Sequence, residues 1–304
     1  MGHRGCRLHL SLDLRLMPDF NIALFSRSLG SEISEILAGG LNDLGHACRI
    51  QMFTLEPSCI NIVLPAVLFP SDALDRVPPS TIFYNVEGLQ HLTQANQSAM
   101  IEILKRGLPV WDFGRENFAW YEAAGFGGAP AYLPLGYSSA IDRLARLPWE
   151  ERTIDVMFFG RLSQRRLDIL ARLMASSLSI GIFANLYGEG RDDLISRAKV
   201  IVDIPTVTPF VAENPRLTFC ASNRKLCVSE LPAYPLDPRW SDAVAFVAFE
   251  EIVSTCEGLA RNRDVALARE EQAYEAMRSM PMADLLGAAL AGTAPRLPAP
   301  IAAA

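Results

Sequence analysis

The chain has 304 residues, of which 50% are hydrophobic, and a formal net charge of −6. This composition suffices for one large or two medium packed domains and excludes a disordered chain, while the mild acidity argues against a nucleic-acid-binding protein. No apolar run approaches the roughly 20 residues of a transmembrane helix, and the predicted extension 1–19 lacks the apolar core of a signal peptide, so we expect a cytoplasmic protein.

Residues 20–148 alternate short apolar runs with helical patterns, which is typical of a parallel sheet covered by helices. Helices are predicted over 31–45 and 93–107, where apolar residues recur at helical spacing and Gly45 and Gly107 end the pattern. Strands are predicted over 21–26, 48–53, 61–66, 81–86, 109–113 and 131–137. We therefore assign 20–148 to an N-terminal Rossmann-like domain.

Residues 149–265 repeat this alternation and are assigned to a C-terminal Rossmann-like domain. Strands are predicted over 154–160, 178–188, 199–205, 225–230 and 244–249, and helices over 163–177, 191–198 and 215–222. Residues 266–290 are helical in pattern and are expected to pack back toward the N-terminal domain, whereas the Pro/Ala-rich residues 291–304 are predicted to be disordered. The fold class predicted is α/β, with two Rossmann-like domains facing across a cleft.

The cysteines and histidines do not form a ligand pattern. Six cysteines are scattered without a CxxC pair, several of them inside apolar runs, and four histidines are isolated. This distribution indicates buried reduced thiols. We predict no metal site and no cofactor.

A phosphate-binding turn is predicted after the first strand of the second series. Ligands of open parallel sheets bind beyond the carboxyl ends of the strands. Here Gly160 permits a tight turn, and Arg161, Arg165 and Arg166 cluster at the start of the next helix. Cations oppose the helix dipole at this end, unless an anion binds between them and the free amides. The alternative is that some of these arginines are simply solvated.

The next strand leads into Tyr187 and Gly188, within the sequence YGEG. This is half of a dinucleotide-binding fingerprint, but the third glycine position is Asp193. A nicotinamide-dependent oxidoreductase is therefore disfavoured, and the two residues are taken as part of a nucleotide-binding turn.

Two carboxylates flank the helix that begins at Pro215. Glu213 precedes the helix, Arg216 lies in its first turn, and Glu230 ends the following strand. Carboxylates on neighbouring strand-to-helix turns can each accept hydrogen bonds from vicinal sugar hydroxyls. The alternative is that Glu213 is only a capping charge and Glu230 a solvated turn residue.

The N-terminal domain offers candidates at the same edge of its sheet. The first strand leads to Ser28, Gly30 and Ser31, and later strands lead to Asn85, Glu87 and Asp112. A general base must lie within hydrogen-bond reach of the group that it deprotonates. Glu87 and Asp112 are the best-placed candidates.

In order and spacing, segments 133–137, 154–170, 186–204 and 213–230 resemble the GT-B-fold glycosyltransferases of the broad group 1 type. The resemblance covers most of residues 20–280. It consists of a strand followed by Gly-Arg, a glycine turn, an acid before a helix, and an acid at the end of the next strand.

The resemblance implies a nucleotide-diphosphate-sugar donor bound by the second domain and a hydroxyl acceptor bound by the first. Arg161, Arg165 and Arg166 would neutralise the diphosphate, Glu213 would touch the donor sugar, and Glu230 would bind the ribose. The family's usual Glu-x7-Glu spacing is absent here, so the resemblance leaves the stereochemical outcome open.

Two other functions remain open. A nucleotide-sugar 2-epimerase would convert the donor without an acceptor. A non-catalytic sugar-nucleotide-binding partner protein would bind a nucleoside diphosphate without turnover.

Overall fold

The computed structural model describes residues 19–26, 31–128, 130–184, 186–208, 210, 214–233 and 236–293. The predicted site residues Ser28, Gly30 and Glu213 lie outside the described residues, and of Ser31 only the backbone is described. Residues 1–18 and 294–304 are also outside them.

Within these ranges the first sheet contains six strands. They are β1 (Phe20–Leu24), β2 (Cys48–Met52), β3 (Ile60–Leu64), β4 (Thr81–Asn85), β5 (Val110–Asp112) and β6 (Pro130–Tyr132). Their spatial order is β2-β1-β3-β4-β5-β6, and every neighbouring pair is parallel. All residues of β1, β3 and β4 are buried, as expected for parallel strands covered on both faces.

The second sheet contains five strands within the described ranges. They are β7 (Ile154–Phe159), β8 (Ile180–Phe183), β9 (Ala198–Asp203), β10 (Cys227–Glu230) and β11 (Ala245–Val247). Their order is β11-β10-β9-β7-β8, again all parallel. In each sheet the first strand lies next to one edge, the second strand forms that edge, and the remaining strands follow on the other side of the first. This order places a switch point between β1 and β3 and another between β7 and β9.

The helices lie between and around these strands. They are α1 (Ser31–Asp43), α2 (Gln94–Lys105), α3 (Asn117–Ala123), α4 (Gln164–Met174), α5 (Gly188–Ser196), α6 (Pro215–Ser222), α7 (Pro238–Ala243), α8 (Ile252–Arg261), α9 (Arg263–Arg278) and α10 (Met282–Thr293). Gly45 and Gly107 follow α1 and α2 with positive φ angles, which confirms that they end these helices.

The α/β architecture predicted from the sequence is confirmed, with differences at particular elements. The strand expected over 178–188 is limited to Ile180–Phe183, because Tyr187 already has the extended conformation of a helix N-cap. Helices α3 and α7 were not predicted, since each is short and lacks the long apolar periodicity of the others. Helix α10 reaches Thr293, three residues into the stretch predicted to be disordered.

A single hydrophobic cluster includes residues from both halves of the chain, among them Ile36 and Leu37 of α1, Leu217 and Phe219 of α6, and Met282 of α10. Helix α10 packs on α1 and β6, whereas α9 packs on α6 and α7. The α1–α10 approach is close: a Cβ at Gly40 would lie 2.8 Å from the Leu286 side chain. The two sheets are therefore joined by packed apolar surface.

Charged and polar contacts also join the two halves. Arg191 of α5 pairs with Glu32 of α1, and Arg143 bridges Glu35 of α1 and Asp192 of α5. In addition, the Asn223 side chain accepts hydrogen bonds from the backbone amides of Arg143 and Leu144, both at 2.8 Å. These contacts fix the strand ends of one sheet relative to those of the other.

Candidate functional site

A cavity of about 840 Å³ lies at the carboxyl ends of strands from both sheets. Val86 and Glu87 follow β4, Phe113 follows β5, Gly160 and Arg161 follow β7, and Pro205 lies just beyond β9. This is the edge at which open parallel sheets bind their ligands. The volume falls in the range of about 300–1,000 Å³ typical of small-molecule sites.

The β7–α4 turn forms one wall of the cavity. Gly160 has a φ angle of +129°, and a Cβ at this position would lie 2.5 Å from the Arg216 guanidinium. The backbone conformation favours glycine here, and a larger residue would also displace the Arg216 guanidinium. Ser163 is the N-cap residue of α4, but its hydroxyl makes no capping hydrogen bond. The first amides of α4 are therefore available to an anion.

Arg166 and Arg216 converge on Asp203 at the end of β9. The Arg216 guanidinium pairs with Asp203 and lies 4.9 Å from the centre of the Phe159 ring. Arg166 donates to the carbonyl oxygens of Ile204 and Arg161, both at 2.6 Å. Burial, followed by repulsion from Arg216, lowers the pKa of Arg166 to about 10, although Asp203 opposes this. Arg166 remains charged at neutral pH, so an added anion would be attracted.

Arg161 and Glu87 line the cavity from opposite sheets. Arg161 is exposed, and within the described residues its guanidinium has no hydrogen-bond or ion-pair partner. The Glu87 carboxylate likewise accepts no hydrogen bond from a described residue. Burial raises the pKa of Glu87 above its usual value, and the positive charge of Arg161 partly offsets this. A carboxylate and a guanidinium, both free to bind, therefore share one cavity.

Arg165 does not line this cavity, although the sequence grouped it with Arg161 and Arg166. Its guanidinium pairs with Glu230 at 2.6 Å, donates to the carbonyl of Pro205 at 3.3 Å and lies 4.0 Å from the Phe249 ring centre. The arginine cluster is thus divided: Arg161 and Arg166 face the cavity, and Arg165 turns to the end of β10. Pro205 connects the cavity with the end of β10, because it lines the cavity and its carbonyl accepts the hydrogen bond from Arg165.

Asp112 and Asn85 are buried in the core and do not line the cavity, contrary to expectation. The Asp112 carboxylate accepts hydrogen bonds from Tyr121 at 2.6 Å, Asn85 at 2.7 Å, Asn117 at 2.9 Å and the Gly114 amide at 2.9 Å. Because these four donors occupy both oxygens, no lone pair remains for an acceptor hydroxyl. Asp112 is a structural residue of the β5–α3 turn, which leaves Glu87 as the base candidate in this half.

Neither a family model nor a curated protein matches this sequence. Solved structures do match. HepE from Anabaena, in complex with UDP and glucose, superposes with a TM-score of 0.59 over 90% of this chain and 99% of its own, at 10% identity. A phage T4 BGT variant with UDP-glucose gives 0.56 over 90% and 99%, at 13% identity.

A third match is a TarM variant from S. aureus in complex with UDP, with a TM-score of 0.54 at 9% identity. It covers 77% of this chain, and the chain spans 55% of the TarM length. These structures share the arrangement of two α/β sheets described above. The chain has the GT-B fold.

Helix α5 begins at this cavity, with Tyr187, Gly188 and Arg191 in or next to its first turn. Tyr187 is 58% exposed at the rim, and Gly188 has a φ of +66° where α5 begins. Arg191 is only 5% exposed, is paired with Glu32 and Asp192, and lies 4.9 Å from the Phe219 ring centre. The turn predicted around Tyr187 is therefore at the cavity, but the buried charge there is Arg191.

Sequence reasoning missed four charged or polar residues of this cavity: Asp203, Asn214, and the paired Arg191 and Glu32. Asp203 had a usable signal, because it is a carboxylate at the end of a buried strand. Asn214 caps α6 by accepting from the Leu217 amide at 3.1 Å and donates to Asp203 at 3.0 Å. The Arg191–Glu32 pair carries no local signal, because its members are separated by 159 positions in sequence.

Among the described residues, no three histidine, cysteine or carboxylate side chains are grouped so that they could hold a metal ion. Among the described helices, none is both long and apolar enough to cross a bilayer. Four of the five described cysteines are buried free thiols, and Cys48 is half-buried.

Proposed function

We propose that this protein is a glycosyltransferase that transfers a sugar from a nucleoside-diphosphate sugar, with UDP as the favoured carrier, to a hydroxyl acceptor. The observation that carries the proposal is the cavity at the carboxyl ends of both sheets, in which four lining arginines outnumber three lining carboxylates: Arg161, Arg166, Arg191 and Arg216 against Glu32, Glu87 and Asp203. This excess of positive charge suits an anionic diphosphate.

The cluster would stabilise the leaving group. As the bond from the sugar to the diphosphate breaks, its electron pair goes to the β-phosphate oxygen, and negative charge increases there. Arg161, Arg166 and the first amides of α4 are fixed donors that could bind this charge without reorganisation. We propose that these groups neutralise the leaving diphosphate without a divalent cation, so that transfer persists in EDTA.

Glu87 is proposed as the general base. It would take the proton of the acceptor hydroxyl while the acceptor oxygen forms the new bond to the anomeric carbon and the nucleoside diphosphate departs. A base works best when its pKa is raised toward the operating pH. The burial of Glu87 has this effect. Its position on the sheet opposite Arg161 fits a base that acts on the other side of the sugar from the leaving group.

The nucleoside is proposed to extend along Pro205 toward Arg165 and Glu230. The Arg165–Glu230 pair has the complementary donor and acceptor that vicinal ribose hydroxyls require. Glu213 keeps its proposed contact with the donor sugar. UDP is favoured as the carrier because HepE and TarM are complexed with UDP, and BGT with UDP-glucose.

A thermal-shift panel of UDP, GDP, dTDP, ADP and CMP tests the donor site. A ligand that binds only the folded state raises the Tm by mass action, and UDP is expected to raise it most. Transfer from UDP-sugars is then followed by UDP release with a pool of hydroxyl acceptors. Binding without turnover would favour the non-catalytic binder, and conversion of the sugar without an acceptor would favour the epimerase. No shift with any nucleotide would refute the proposal.

A further inference from the structure

A second cavity, of about 450 Å³, is lined by residues at and just after β6, the edge strand of the first sheet. Its walls come from three parts of the chain: Tyr132 at the end of β6, Trp240 on α7, and Leu285 and Ala288 on α10. Most of its lining is apolar, with Pro134, Met280 and Ala289 completing the floor. Its size and character are those of a small-molecule site.

The β5–α3 turn contributes one lining residue to each cavity. Phe113 lines the first cavity and Arg115 lines the second. Two residues span at most about 7 Å of extended chain. At this turn the two linings therefore come within the reach of one molecule.

The charges at the rim of the second cavity are already matched. Arg239 donates to both oxygens of Asp237, at 2.9 and 2.7 Å, and the Arg115 guanidinium lies 4.6 Å from the Tyr132 ring centre. Asp284 is the other carboxylate of the lining. Since its lining has two arginines and two carboxylates, this cavity has no excess charge to attract an ion, whereas the first has four arginines and three carboxylates.

We propose that the second cavity binds an uncharged apolar chain on the acceptor, such as an alkyl aglycone attached to the sugar or alcohol that carries the reacting hydroxyl. This inference rests on the proposed function and identifies the acceptor class as amphiphilic. Burying apolar surface in this cavity stabilises the complex without a contact to the reacting atoms. The effect is expected in KM and in binding rather than in kcat.

Methyl and octyl β-D-glucoside, below the micellar concentration of the latter, are suitable probes. Binding is measured by calorimetry on the protein saturated with UDP, and transfer is followed by UDP release. Each buried methylene strengthens binding about fourfold, so we expect the octyl compound to bind on the order of tenfold or more tightly, with a correspondingly lower KM. Equal affinity for the two glucosides would overturn the inference.

Ala288→Trp fills the second cavity, and Ala291→Trp is the matched control, because Ala291 is exposed on the same helix and is outside the cavity lining. We expect Ala288→Trp to abolish the preference for the octyl chain and leave the UDP thermal shift unchanged, and Ala291→Trp to preserve both. A preference that survives in Ala288→Trp refutes the assignment. The wild-type comparison stands even if that variant does not fold, and loss of UDP binding in wild type would instead refute the proposed function.

Discussion

The two halves of the molecule share one topology, yet they use the carboxyl ends of their strands differently. In the first half, Asp112 and Asn85 end their strands in a buried network in which every oxygen of Asp112 is occupied. In the second half, Gly160 and Arg161 follow β7 into an open cavity, and Arg161 has no partner among the described residues. Position at a strand end therefore does not by itself leave a side chain available to bind a ligand.

The largest effect that tests this contrast is expected from Glu87→Gln. Glu87 is the carboxylate of the first half that remains free in the cavity, and loss of a general base typically costs about 10²–10⁴ in rate. Its raised pKa implies that wild-type kcat/KM falls as the pH drops through a value above 4.5. In Glu87→Gln, the profile of kcat/KM against pH should no longer show this fall at low pH. An unchanged rate at neutral pH would exclude Glu87 as the base.

The next largest effect is expected from Arg161→Ala. Its guanidinium has no structural partner among the described residues, so stability should be unaffected while transfer falls about 10²–10³-fold, the usual cost of one lost electrostatic donor. The measurements are UDP release and the Tm. Arg76→Ala, which removes an exposed arginine outside the cavity lining, should be neutral in both. If the two variants behave alike, Arg161 does not bind the diphosphate.

Asp112→Asn should show the opposite behaviour: loss of stability without loss of UDP affinity. The new amide NH₂ replaces one oxygen and so faces two of the four present donors, for example Tyr121 and Asn85, and each unsatisfied buried group costs about 1–3 kcal/mol. Urea unfolding at pH 7 should show a loss of about 2–4 kcal/mol. Asp72→Asn, at an exposed aspartate, is the control. A folded, stable variant that binds UDP but is catalytically dead would return Asp112 to the candidate bases.

The smallest effect is expected from Lys225→Met, a substitution in the second half of the chain at a residue that does not line the cavity. The Lys225 ammonium is buried and donates to the carbonyl oxygens of Ser196 and Ala198 at 2.9 and 3.1 Å. Burial, with repulsion from Arg152, lowers its pKa to about 8. The unfolded chain therefore binds the proton more tightly, so the free energy of unfolding should rise between pH 8 and 10.5 by about 1–3 kcal/mol. In Lys225→Met, urea unfolding measured from pH 8 to 10.5 should lack this contribution to the rise in the free energy of unfolding.

The sequence predicted the strands and long helices well because their signals are local. Buried parallel strands are continuous apolar runs, and Gly45 and Gly107 end their helices through a conformation that glycine adopts readily. The Gly160 turn was also predicted, since a glycine followed by clustered arginines is unusual at a helix start. Helices α3 and α7 were missed because short helices depend on tertiary packing more than on propensity.

What the sequence determined by itself was the alternation of strands and helices, hence the parallel sheets and the edge at which a ligand binds. Only the tertiary structure decided which polar side chains at that edge are free. Arg165 and Arg166 are adjacent in sequence, yet one turns to Glu230 and the other to the cavity. The reason is that a side chain's availability depends on partners brought from distant positions, and no local pattern encodes these.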